Sequence, residues 1–125
     1  MQRSELFRRG IVVPLDQWAE DCLRAGNVTE HLNVRFLHLP DDEVIFLVLW
    51  KLGLFMEINA RCNSLIDDYE EDLIEPSLLH EVHAAVAAAR KLPAAQERSI
   101  ANFLYETDKL VGEAILRSRP MVFVL

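Results

Sequence analysis

Apolar positions change period several times along this chain, and each change marks an element. Ile11, Val12 and Val13 form a β-branched run closed by Pro14. Such side chains suit a pleated surface and proline cannot donate to a ladder, so the run predicts a strand at a sheet edge. Leu15, Trp18, Ala19, Cys22 and Leu23 then recur at helical spacing, with Asp16 placed to cap the first turn and Gly26 to stop the last. Residues 27–31 read as polar loop. Val34, Phe36 and His38 alternate with Arg35 and Leu37 ahead of Pro40, which predicts a second strand.

Pro40, Asp41, Asp42 and Glu43 open the next helix, because first-turn carboxylates satisfy orphan amides and complement the helix dipole. Residues 44–50 are apolar nearly all round, so this helix is expected to be buried on more than one side. Gly53 either bends it or separates it from a second helix that carries Leu54, Ile58 and Cys62 on one face and exits at Asn63 and Ser64. Residues 66–75 are expected as a loop, or partly helical. Glu75 and Pro76 start another helix, with proline suited to its first turn and Leu78, Leu79, Val82, Val86 and Ala89 as its stripe. The alanine-rich stretch 84–89 allows a neighbouring helix to approach closely. Leu92 and Pro93 break it. The last helix runs over residues 94–116 with Ile100, Phe103, Leu104, Val111 and Ile115 inward, and residues 121–125 form a terminal apolar strand. Trp18 and Trp50 both fall in apolar stripes and are expected in the core.

Four to five helices and up to three short strands predict a helix-dominated α+β fold, a small sheet packed on helices. The alternative is all-α, with the short strands as mere extended ends. At 125 residues, the chain reads as a single domain over 1–125. Its 51% hydrophobic content is enough for a core and excludes a disordered chain.

Charge narrows the function. The formal net charge is -7, and residues 66–75 alone hold six carboxylates, one tyrosine and no basic residue. A sequence pI near 5.0 argues against nucleic acid as a direct ligand, because neutralising phosphates takes clustered Lys and Arg. Arg3, Arg8 and Arg9, and the pair Arg117 and Arg119, read as solvated ends. The most apolar run, 44–56, is interrupted by Lys51 and Gly53 and is shorter than the about 20 residues a bilayer-spanning helix needs. No membrane association is expected. The polar first ten residues lack the apolar core of a secretory signal, so the expected location is cytoplasmic and reducing. Cys22 and Cys62 form no C-x-x-C pair and are expected as buried free thiols.

The acidic segment is the leading candidate site. Asp67, Asp68, Tyr69, Glu70, Glu71, Asp72 and Glu75 are assigned to partner binding: the carboxylates steer a basic protein and Tyr69 anchors it. The competing reading is a solvated loop that keeps the protein soluble. A calcium loop of EF-hand type would need a central glycine, and none lies between Asp67 and Glu75. His80 and His83 share a helix face, but zincin chemistry needs histidines four apart with a glutamate between. No serine lies in a G-x-S-x-G context, and the glycines at 10, 26, 53 and 112 form no phosphate loop. An enzyme here would draw on His80, His83 and the acids of 67–75, with no reaction assigned to them. The reading is therefore a non-catalytic binding protein with no catalytic residue, no metal and no cofactor.

The run Leu49, Trp50, Lys51, Leu52, Gly53, Leu54, Phe55, Met56, Glu57, Ile58, Asn59 precedes Leu65, Ile66, Asp67, Asp68, Tyr69, Glu70, Glu71. This pattern, over residues 40–80, resembles small acidic bacterial immunity proteins of polymorphic and contact-dependent toxin systems. The resemblance implies a cytoplasmic protein that binds and neutralises one cognate toxin. If that toxin is a basic nuclease-type domain, the acidic ridge takes the place of the nucleic-acid backbone. The first 35 residues and the last helix lie outside the resemblance. The alternative is an acidic secretion chaperone that holds an effector segment on an apolar groove, although such chaperones need a larger sheet than these strands supply.

Overall fold

The computed structural model describes residues 9–26, 32–40, 42–67 and 71–125. Arg3, Arg8, Asp41, Asp68, Tyr69, Glu70 and the expected loop at 27–31 lie outside the described residues. Among the described residues, four strands and five α-helices follow in the order β1 (Gly10–Pro14), α1 (Gln17–Arg24), β2 (Val34–His38), α2 (Glu43–Lys51), α3 (Leu54–Cys62), β3 (Glu71–Ile74), α4 (Leu79–Arg90), α5 (Arg98–Arg117) and β4 (Met121–Val124). Short 3-10 turns at Pro76–Leu78 and Pro93–Gln96 lead into α4 and α5. The fold is helix-dominated α+β, and the sheet removes the all-α alternative.

The sheet is antiparallel with order β2-β1-β4-β3. β1 is therefore an interior strand and not the edge that Pro14 suggested. The reason lies in the phase of the ladder. Leu15 N–H donates to Asn33 O and Leu39 N–H donates to Arg9 O. Odd-numbered residues of β1 thus direct their backbone groups at β2, and even-numbered ones at β4. The β1–β4 pairing stops at Val12↔Val122. The same register carried two residues further would set Pro14 against Pro120, two residues with no N–H between them. The proline ends a ladder; it does not mark an edge.

The strands alternate between two apolar environments. Ile11, Val13, Met121 and Phe123 belong to the main core with α2–α5. Val12, Val122 and Val124 lie on the other face, with Leu23 of α1, Val34, Phe36 and Leu73 packed against them. This two-sided burial explains why β1 and β4 read as continuous apolar runs. On the helical side α2 packs on α3, α3 on α4 and α4 on α5, and α5 reaches β1 and β2. Phe55, fully buried, joins the layers: its ring centroid is 4.8 Å from that of Trp50 and 6.4 Å from that of Phe123 in β4.

Gly53 separates two helices. It adopts φ +80, the left-handed region that favours glycine, and so allows α2 to end and α3 to begin at once. Further expectations are corrected. Residues 71–74 form a strand, so the sheet gains a fourth member. Trp18 is 56% exposed and Ile115 is exposed, because each lies at the margin of its helix's apolar stripe. Val44 and Leu47 of α2 are exposed, so that helix is buried on one side. The last helix begins at Arg98, after the 3-10 turn, where the Glu97 side chain accepts from Ile100 N–H. Cys62 is buried, Cys22 half-buried, and both are free thiols.

Phe55→Ala removes the ring that bridges helices and sheet. It should cost about 3–5 kcal/mol, read as a lower midpoint in denaturant unfolding with little change of slope.

Candidate functional site

The acidic segment runs from the end of α3 to the start of α4, and the structure holds it at both ends. At the first end Asn59 acts as a clamp. Its Nδ2 donates to Ile66 O at 2.9 Å, and its Oδ1 accepts from Ile66 N–H and from Ser64 Oγ, each at 2.7 Å. Ile66 is thereby tucked into the main core. The Leu65 N–H donates to the carboxylate of Asp72, which ties the loop to β3. At the far end, Glu75 accepts two hydrogen bonds from Arg24 of α1, at 2.7 and 2.9 Å. Arg24 also donates to Glu20 at 3.0 Å, and Glu20 accepts from Arg119 at 3.0 Å. This chain of charges fastens α1, the exit of β3 and the end of α5 to one another.

The assigned residues thus divide by role. Asp72 and Glu75 are engaged by hydrogen bonds within the chain. Asp67 and Glu71 are exposed. Asp68, Tyr69 and Glu70 lie outside the described residues.

β3 is an edge strand, paired with β4 on one side. The ladder phase continues across the sheet: Val122 and Val124 direct their backbone groups at β1, and Met121 and Phe123 direct theirs at β3. Asp72 and Ile74 are their partners, so Glu71 and Leu73 turn their N–H and C=O groups away from β4. Among the described residues no strand meets them there. The side chains of Glu71 and Leu73 fall on the α1 face of the sheet, opposite Val124 and Val122. A depression of about 340 Å³ opens there between β3 and the end of α1, lined by Leu23, Arg24, Glu71, Leu73 and Val122 among others. The arrangement offers a short strand edge with a backbone donor and acceptor pattern, an exposed carboxylate and an apolar floor.

Sequence reasoning missed two contributors. Asn59 enters the sequence reading only in the run that carries the resemblance. Its clamp spans seven residues, and no local spacing announces it. Trp18 was placed in the core, although it precedes Ala19, the one fully buried position of α1; a tryptophan at the rim of a short amphipathic helix is the signal that was there to find.

The histidines sit elsewhere. His83 Nδ1 lies 2.8 Å from Asp108 Oδ1, and Arg90 Nη1 lies 3.4 Å from the other oxygen of the same carboxylate. His80 Nε2 is 3.4 Å from Glu81. Among the described residues no group of three or more His, Cys, Asp or Glu is placed to hold a metal ion. Among the described residues no helix is long and apolar enough to cross a membrane. Burial pushes the Cys62 thiol up from its usual range, further raised by the Glu81 carboxylate.

The Arg24 guanidinium, through its hydrogen bonds, holds the Glu75 carboxyl below its ordinary value of 4.5, and Arg35 does the same for Glu113. The folded state therefore refuses protons that the unfolded chain accepts in that range. The stability involved is fully present above about pH 4.5 and is lost as the pH falls through the lower, folded-state values. Glu75→Gln should lower stability by less than about 1 kcal/mol at neutral pH, since the pair is half exposed and screened by solvent. The gap between the two denaturation midpoints should close in acid. Asn59→Ala should cost about 1–3 kcal/mol through unsatisfied groups and speed hydrogen exchange at Ile66.

No family model, no curated protein and no solved structure matches this chain.

Proposed function

We propose that this chain is a non-catalytic binding protein whose acidic sheet edge engages a basic protein partner, in the manner of an immunity protein that neutralises a cognate bacterial toxin in the cytoplasm. The observation that carries the reading is β3: a strand of sequence Glu71-Asp72-Leu73-Ile74 at a sheet edge that no other strand among the described residues covers, with the backbone groups of Glu71 and Leu73 directed outward. An extended segment of a partner adds to such an edge through main-chain hydrogen bonds. The exposed carboxylate of Glu71 favours a basic segment and disfavours an acidic one. A second copy of this edge would meet like charge, which protects the protein from pairing with itself there.

The clamps support the same reading. Asn59 and Arg24 fix the two ends of the segment before any partner arrives, so less ordering is left to oppose association. Trp18, exposed at the rim of α1, adds a large amphipathic side chain on the helix that covers the same face of the sheet as Glu71 and Leu73.

The test is a tagged capture from the native cell, with the retained protein then purified and titrated against variants. One basic, folded domain bound at near 1:1 is the expected result. Glu71→Lys should weaken it about tenfold or more, and added salt should weaken the unaltered pair. Leu73→Pro removes an outward N–H at an edge that tolerates proline. It should weaken binding without unfolding the chain. Undiminished affinity in both variants would exclude this edge. Recovery of an unfolded effector segment in place of a folded domain would assign the chain to the secretion chaperones instead.

A further inference from the structure

The outer face of α2 is unfinished. A helix apolar nearly all round is expected to be buried on more than one side, and Phe46 and Leu49 do face the core. Yet Val44 is 66% exposed and Leu47 is 55% exposed. Both lie on one side of the helix, between Glu43 in its first turn and Lys51 in its last. Glu43 and Lys51 stand four residues before and four residues after Leu47, so each lies about 6 Å along the axis from it. All three side chains share one row of the helix surface.

That row is complementary to itself. If a second copy approaches antiparallel about a two-fold axis at Leu47, Leu47 meets Leu47, and Glu43 of each copy meets Lys51 of the other. The helix dipoles also run in opposite senses, which brings the positive end of one helix beside the negative end of its neighbour. Within the chain, Lys51 makes no ion pair among the described residues, while Glu43 meets Arg9 at 3.3 Å with its side chain 75% exposed. A parallel approach would set like charges together and is excluded by the same row.

We propose that two copies of this chain associate through α2, as an isologous dimer centred on Leu47 with reciprocal Glu43–Lys51 pairs. A closed two-fold contact of this kind uses the same patch on both copies and stops at two. It carries no residue of the acidic edge and does not depend on the proposed partner.

Sedimentation equilibrium of the full chain, over a range of concentrations, tests it. The expected result is a reversible monomer–dimer equilibrium. Leu47→Glu, at an exposed site that leaves the fold intact, should abolish the dimer. Lys51→Glu should weaken it about tenfold or more, since it sets two like-charged pairs in one interface. Combining Glu43→Lys with Lys51→Glu restores opposite charges and should recover most of the lost affinity. A wild-type chain that stays monomeric up to about 100 µM, a dimer indifferent to Leu47→Glu, or a charge-swapped double variant no better than Lys51→Glu alone would each overturn the proposal.

Discussion

The pairing of β4 with both β1 and β3 is the interaction on which the rest of the structure hangs. Met121–Val124 lies between an early strand and a middle one, so the sheet closes only when the far end of the chain reaches its centre. Every residue from Met121 to Leu125 is buried. Without β4, β3 has no ladder, and four residues that begin with two carboxylates have little reason to be a strand at all. The same pairing sets the phase that turns Glu71 and Leu73 outward. The candidate site is therefore a consequence of long-range pairing.

Around that sheet the two faces are covered unequally. Helices α2–α5 build the main core on one side, and the short α1, with Leu23 against Val122 and Val124, covers the other. The charges Glu75, Arg24, Glu20 and Arg119 lie where α1 must be held to the sheet exit and to the end of α5. The Arg24–Glu75 pair is half exposed, and such pairs contribute little stability. Their consequence is placement: they hold the acidic segment at one end while Asn59 holds it at the other. Glu71, exposed on β3, is then a carboxylate whose chemistry a basic partner would meet.

Much of the architecture was legible in the chain. Ile11 to Val13 and Met121 to Val124 read as strands because two-sided burial leaves unbroken apolar runs, and the helices followed from stripes such as Leu79, Val82, Val86 and Ala89. β3 was not legible, because Glu71 and Asp72 have poor strand propensity and are made a strand by Phe123 and Met121 alongside. Pro14 misled because a missing N–H marks the end of one ladder as well as the edge of a sheet, and only the register separates the two. Val44 and Leu47 read as core because composition reports that a helix is apolar, not how many neighbours cover it. The acidic segment was visible as a cluster of charge and a candidate site. That Asp72 and Glu75 are held within the chain depended on Leu65 and Arg24, which are remote or unremarkable in sequence.

The central claim is that a protein partner adds to the open edge of β3. Hydrogen exchange of the chain, alone and with its captured partner, tests it most directly. The account predicts slowed exchange at the amides of Glu71 and Leu73, whose N–H groups gain acceptors, with α4 unchanged. Protection confined to another surface, with Glu71 and Leu73 exchanging as fast as in the free chain, would contradict it.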